Sequence, residues 1–228
     1  MPLIRLGSSL DWKRFLGELV LIVGGVLIAL AIDSWWEGHQ EREQEMAYLD
    51  QLLVDLRETE DRLHTSIAGD SAMLDRVSGV LDRAFNGHLP PPDSLVLPTG
   101  YTQFRPLSGT QAALVQSGDL RLVRNDSIRF QVIAYAALID ATETILRHAE
   151  TLIWSSTDRV ILGRARHSQG GAGRWAGIDV AAALGDPEVV SALQVQAAAS
   201  QTRVRNLGRL QGPTSDLVRL IKAELRRR

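Results

Sequence analysis

The chain has 228 residues, no cysteine, and a nearly balanced charge of 25 Lys and Arg against 27 Asp and Glu. That balance gives no electrostatic footprint for nucleic acid, and the missing thiols exclude a disulfide framework and a cysteine nucleophile. Aromatic residues make up only 5% of the chain against 45% hydrophobic overall, so Leu, Val, Ile and Ala carry the apolar content. With abundant Arg and Glu this is a helical composition, and strand-like alternation is nearly absent.

Residues Leu19 to Ile32, LVLIVGGVLIALAI, form an uncharged run bounded by Glu18 and Asp33. Trp12 precedes it and Trp35-Trp36 follow it. A helix from Trp12 to Trp35 is about 35 Å long at 1.5 Å per residue, close to the separation of the two bilayer interfaces, where tryptophan is favoured. The apolar run alone reaches about 21 Å, short of a hydrocarbon core of roughly 30 Å. The expected span therefore covers residues 15–36, with Glu18 and Asp33 in its end turns, where a carboxylate reaches the headgroups. Gly25, Ala29 and Asp33 fall on one face at four-residue spacing, a small-residue pattern that permits close helix approach. The anchor residues are thus Trp12, Glu18, Gly25, Asp33, Trp35 and Trp36.

A second reading of the same run is a signal peptide cleaved after Ala29-Leu30-Ala31. Against it, the sequence passes from Asp33 into strongly helical residues with no Pro or Gly break at the site. Arg5, Lys13 and Arg14 lie before the run, whereas between residues 37 and 51 Arg42 is the one basic residue among five acidic ones. The positive-inside rule then places residues 1–14 in the cytoplasm and residues 37–228 outside it. In a double-membrane bacterium this corresponds to the inner membrane, with the bulk of the chain in the periplasm.

From about 37 to 86 the chain reads as one long helix, polar all round until Gln44. Leu49, Leu53, Leu56, Leu63, Ile67, Leu74, Val77 and Leu81 follow three- and four-residue steps, with Glu60 and Asp70 interrupting the seam. Two acids there favour packing against later helices of the same chain over an intermolecular coiled coil. Gly87, Pro90-Pro91-Pro92, Pro98 and Gly100 mark a loop over 87–107, either functional or packed over the end of the helices. Ser108 is the expected cap of a short helix at 109–117, closed by Gly118. Asn125 caps a helix from 126 to 165 whose inward stripe is Ile128, Val132, Tyr135, Ile139, Leu146 and Ile153. A glycine-rich stretch at 166–178 reads as a connector. Asp186-Pro187 opens a final helix at 187–226, with a kink expected at Gly212-Pro213 and a re-cap by residues 214–216. The expected fold is all-α, an N-terminal transmembrane helix continuing into the long helix of an antiparallel extracytoplasmic helical bundle.

The densest motif is SGDLRLVRND. Ser117 and Gly118 form a turn, Leu120 and Leu122 are expected to plug the core, and Asn125 caps the next helix. Arg121, Arg124 and Arg129 lie close by, so the corner is either structural or a site for an anion or partner beside helix amides.

Two segments together resemble a widespread family of uncharacterised bacterial single-pass membrane proteins. The first is GELVLIVGGVLIALAIDSWWE, residues 17–37. The second is FRPLSGTQAALVQSGDLRLVRNDSIRFQVIAYAALI, in which Phe104, Ser117, Gly118, Leu120, Leu122, Asn125, Ile128, Arg129 and Tyr135 carry the match. The segments cover about a quarter of the chain. The doubled tryptophan, and Asp33 where Asn is common, depart from the pattern. The resemblance implies a membrane-anchored helical domain and brings no activity.

The five histidines, His39, His64, His88, His148 and His167, form no H-x-x-x-H pair, and no nucleophile elbow or phosphate-binding loop is present. The expectation is a non-enzymatic protein without cofactors, in which a scaffold or interaction domain is held at the membrane. The alternative is a sensor-like bundle that binds a ligand and acts through a membrane partner. The bilayer is one expected partner, and a second copy or an envelope protein another.

Overall fold

The computed structural model describes residues 12–88, 100–158 and 180–227. Among them all regular structure is helical. The helices are α1 (Trp12–Phe85), α2 (Gly109–Ser117), α3 (Asp126–Leu152), α4 (Val180–Leu184) and α5 (Pro187–Arg226), with a 3₁₀ turn at Asp119–Leu122 and a π-helical stretch at Ile153–Asp158. The chain divides into two units, Met1–Ala47 and Tyr48–Arg228.

In the first unit the apolar run is helical throughout, and none of its side chains is buried. Among the described residues α1 is the one helix long and apolar enough to cross a membrane, and its candidate segment lies near the N-terminus.

In the second unit the later part of α1 joins α3 and α5 around one core. Leu49, Leu56 and Leu63 of α1 meet Ile128, Val132 and Ile139 of α3 and Leu207, Leu210 and Leu217 of α5. The expected inward stripe of α3 is buried at every position from Ile128 to Ile153, and the leucine seam of α1 is buried except at Ile67 and Leu74, which are half-buried. The partners run in opposite senses. Asp70 bonds Arg203 and Glu60 bonds Ser215, so rising numbers in α1 meet falling numbers in α5. Tyr135–Thr214 and Glu150–Arg203 give the same relation between α3 and α5. A second cluster joins Val77, Val80 and Leu81 to α4 and the start of α5.

The helix ends follow local chemistry. Gly87, at φ 70°, closes α1, and the His88 amide bonds the Arg83 carbonyl at 3.0 Å, the pattern of a Schellman stop. The Asn125 side chain accepts from the Ser127 and Ile128 amides, and Asp186 accepts from Glu188 ahead of Pro187 at the helix start.

Four expectations are corrected. Ser108 stands at the N-cap of α2 but its side chain makes no capping bond. Asp55 of α1 does so instead, accepting from the Thr110 amide at 3.3 Å and hydroxyl at 2.6 Å, a carboxylate supplied from another helix to the positive end of α2. The third helix keeps α-geometry only to Leu152 and then widens into a π-turn, where the Ser155 and Ser156 hydroxyls compete for the Leu152 carbonyl; residues 159–165 lie outside the described residues, as does the connector at 166–178. α5 continues as one helix through Gly212-Pro213 without a re-cap: Thr214 is a buried residue whose hydroxyl bonds the Leu210 carbonyl and the Tyr135 hydroxyl.

The fourth correction concerns the loop expected at 87–107. Residues 89–99, with Pro90, Pro91, Pro92 and Pro98, lie outside the described residues. Residues 100–108 do not cover a helix end; they run along α1 as a strap. The Thr102 amide bonds Asp70 at 3.1 Å, Arg62 donates to the Arg105 carbonyl at 3.1 Å, and the Leu107 amide bonds the Thr59 hydroxyl at 3.0 Å. Gly69 is what lets the strap lie so close. A Cβ at this position would come within 2.1 Å of the Thr102 hydroxyl.

Replacement of a helical glycine by alanine ordinarily stabilises by about 0.5–1 kcal/mol. Gly69→Ala is expected to do the opposite, costing roughly 1–3 kcal/mol, because the methyl displaces a residue whose backbone is bonded to Asp70. Thermal unfolding of this variant beside a control at exposed Gly212→Ala checks the sign.

Candidate functional site

The chemistry of the second unit concentrates on one side chain. Arg203 is fully buried and is among the largest side chains with no exposed surface. Its Nε donates to Asp70 Oδ2 at 2.9 Å and its Nη1 to Glu150 Oε1 at 2.9 Å. Its Nη2 donates to the Thr102 carbonyl, and the guanidinium lies 4.9 Å from the centroid of the Tyr101 ring. One cation thus touches α1, α3 and the strap from α5, through two carboxylates, a carbonyl and an aromatic face. Asp70 is also completely buried, whereas the Glu150 side chain keeps some exposure. Burial pushes the Asp70 carboxyl above the ordinary carboxylate range, against the opposing pull of Arg203 and the Thr102 amide.

Around this centre, Gln196 donates to the Gly100 carbonyl at 2.7 Å and the Trp154 indole donates to the Tyr101 hydroxyl at 3.3 Å. A cleft of about 440 Å³ lies between the strap and α3, lined by Gln103, Arg105, Glu143, Arg147 and Glu150 among others. Each direction in which Arg203 donates is filled by the chain itself, so it acts as a structural tie. Among the described residues no group of three or more His, Asp or Glu is placed to hold a metal ion.

The corner residues come together, and their polar groups bond mainly within the chain. Gly118 adopts φ 79°, as a residue closing α2 must, and Ser117 donates to the Ala113 carbonyl while accepting from the Asp119 amide at 3.2 Å. Asn125, besides capping α3, donates to Glu224 of α5 at 2.9 Å. Arg129 bonds Asp126 and donates to the Val123 carbonyl at 3.1 Å, whereas Arg121 and Arg124 are exposed. Tyr48 donates to Asp119 at 2.9 Å. That bond raises the Tyr48 phenol above its ordinary value, while the Ser117 and Tyr48 hydroxyls together hold the Asp119 carboxyl below its own.

Leu120 packs against the core as a partly buried residue, whereas Leu122 does not plug it as expected. Both are half-buried, and the fully buried residue is Val123. The cause is the 3₁₀ turn. With three residues per turn, Leu120 and Val123 share a face and Leu122 is rotated off it.

The anchor residues lie on one helix, as expected, and Trp12, Glu18, Gly25, Asp33, Trp35 and Trp36 are all exposed. Trp12 stacks on Phe15 and Trp35 on His39, each at 5.9 Å between ring centroids. Gly25 has open space around it, where a Cβ would meet nothing within 4 Å.

The Arg203 network was not anticipated from sequence, although a signal was there. Leu193, Gln196, Ser200, Arg203, Leu207 and Leu210 step by three and four along the inward face of α5. A cation on that seam answers the anion at Asp70 on the seam of α1.

Two outcomes follow from these contacts. Asp70→Ala leaves Arg203 buried with one carboxylate lost and is expected to cost about 3–5 kcal/mol, whereas replacing Asp70 and Arg203 together by apolar residues of similar volume costs much less; chemical denaturation of the single and double variants measures the difference. Val123→Ala is expected to cost about 2 kcal/mol and Leu122→Ala clearly less, read as a melting-temperature drop of roughly 2–4 °C per kcal/mol.

No protein-family model, curated protein or solved structure matches the chain.

Proposed function

We propose that this chain is a single-pass protein of the bacterial inner membrane that holds a helical docking domain outside the cytoplasm. The observation that carries this reading is the state of residues 19–32. Ten large aliphatic side chains between Leu19 and Ile32 are exposed along one helix. Leaving each in water forgoes about 1.5–3 kcal/mol, so the run as a whole forgoes about 15–30 kcal/mol, more than the net stability of an ordinary domain. Lipid is the solvent that removes this penalty. A helix satisfies every backbone group within such a solvent, and the flanking tryptophans match its interfaces. The basic residues before the run and the acidic ones after it favour a cytoplasmic N-terminus and an extracytoplasmic bundle.

The docking role is supported by what the domain does with its polar groups. Arg203, Asp70, Asn125 and Arg129 are engaged in holding helices, strap and corner together, as in a rigid body that presents a surface. A sensor-like module acting through a membrane partner is the second reading, favoured by the cleft beside Arg105 and Arg147.

A reporter that matures only outside the cytoplasm, fused after Arg228, is expected to be active in cells. The purified protein is expected to retain the residues before Leu19. An inactive fusion reverses the topology, and a mature N-terminus near Ile32 replaces the anchored protein with a secreted one.

A further inference from the structure

We infer that the cleft between the strap and α3 binds an α-amino acid with an apolar side chain, its carboxylate held by Arg105 and Arg147 and its ammonium group by Glu143. The inference deepens the second reading above, and rests on it only in treating the cleft as a ligand site. At about 440 Å³ the cleft falls within the roughly 300–1,000 Å³ of small-molecule sites. Its lining is of two kinds. Phe104, Pro106 and Leu146 are buried side chains that give it an apolar base. Arg105, Glu143, Arg147 and Glu150 add charges of both signs.

Local structure fixes where these charges stand. Glu143, Arg147 and Glu150 follow four- and three-residue steps along one face of α3, over about 10 Å. Arg105 comes from the strap, where its carbonyl accepts from Arg62 at 3.1 Å and its neighbours Phe104 and Pro106 are buried, so the backbone is held while Arg105 itself stays exposed. One of the four charges is already committed, since Glu150 accepts from Arg203 at 2.9 Å. The other three form no ion pair among the described residues. Even Glu143 and Arg147 stay apart, although their i,i+4 spacing and order favour pairing. Two cations and one carboxylate therefore remain in one cleft beside an apolar surface. A ligand that answers all three features carries a carboxylate, an ammonium group close to it and an apolar side chain. A simple carboxylic acid leaves Glu143 without a partner, and a simple amine leaves the two arginines without one. Held in this way, the ligand ties the strap to α3 beside the contact through which Glu150 holds Arg203.

Isothermal titration of the full-length protein in detergent micelles tests this with L-leucine, L-methionine and L-phenylalanine. At least one is expected to bind and to raise the melting temperature by about 5–10 °C at about a hundredfold its Kd. Its amide, which lacks the carboxylate, and its N-acetyl form, which lacks the ammonium charge, should each bind about tenfold or more weakly. So should glycine, which leaves the apolar base uncovered. Arg147→Gln should lower affinity for the amino acid about tenfold while leaving that for the amide unchanged, and Glu143→Gln should do so while leaving that for the N-acetyl form unchanged. Neither residue bonds Arg203, so the ligand-free melting temperature should stay within about 2 °C in both variants. A merely structural role for either residue does not produce that split. No heat and no shift from any of the three amino acids at about 10 mM, where a millimolar site is filled, overturns the inference. Equal binding of the amide, the N-acetyl form or glycine overturns it as well. Binding in micelles with no ligand-dependent change in the membrane proteins cross-linked to the full chain in cells keeps the ligand assignment and sinks the sensor-like reading, so the two fail separately.

Discussion

Arg203 is the interaction on which the arrangement of the second unit depends. A guanidinium with no exposed surface is tolerated only where carboxylates and carbonyls surround it, and here Asp70, Glu150 and Thr102 do so from two other helices and the strap. If α5 slipped by one turn against α1, about 5.4 Å, the guanidinium would leave Asp70 and two charges would be stranded in an apolar core. Leucine contacts tolerate such a slip far better, because Leu207, Leu210 and Leu217 present similar surfaces at successive turns. The network therefore sets the register of the helices, while the leucines supply most of the cohesion.

The same logic runs along α1. Asp55, Thr59 and Asp70, buried on its inward side, hold α2 and the strap by bonds to Thr110, Leu107 and Thr102. Residues 100–108 have no helical partner for their amides, and an unpaired buried amide costs as much as a lost hydrogen bond. The polar side chains of the helix supply what a neighbouring strand would otherwise provide. Gly69 completes the device by removing the one side chain that would hold the strap off the helix surface.

Among the described residues, exposed apolar side chains differ in how they are arranged around their helices. Residues 19–32 are apolar around the whole helix, the pattern of an element that meets a uniform apolar solvent. The exposed apolar side chains of α3, among them Phe130, Ile133, Ile145 and Leu152, are confined to one face of that helix.

What the sequence determined by itself is whatever is decided within a few turns of chain. The all-helical class, the stripe from Ile128 to Ile153, the stops at Gly87 and Gly118, and the caps at Asn125 and Asp186 were legible because periodicity, positive φ and capping are local properties. The apolar run between Trp12 and Trp35 was legible for the same reason. What only the tertiary structure decided involves partners distant in sequence. Asp70 and Arg203 are 133 residues apart, and each taken alone looks like a flaw in an apolar seam. Asp55 displaced Ser108 as the cap of α2 because a carboxylate from another helix reached the free amides. Val123 displaced Leu122 in the core because a 3₁₀ turn rotated the corner by a fraction of a residue. Local pattern fixes which face of a helix turns inward, but the pairing of buried charges across faces is a property of the assembled core and has no signature in either segment alone.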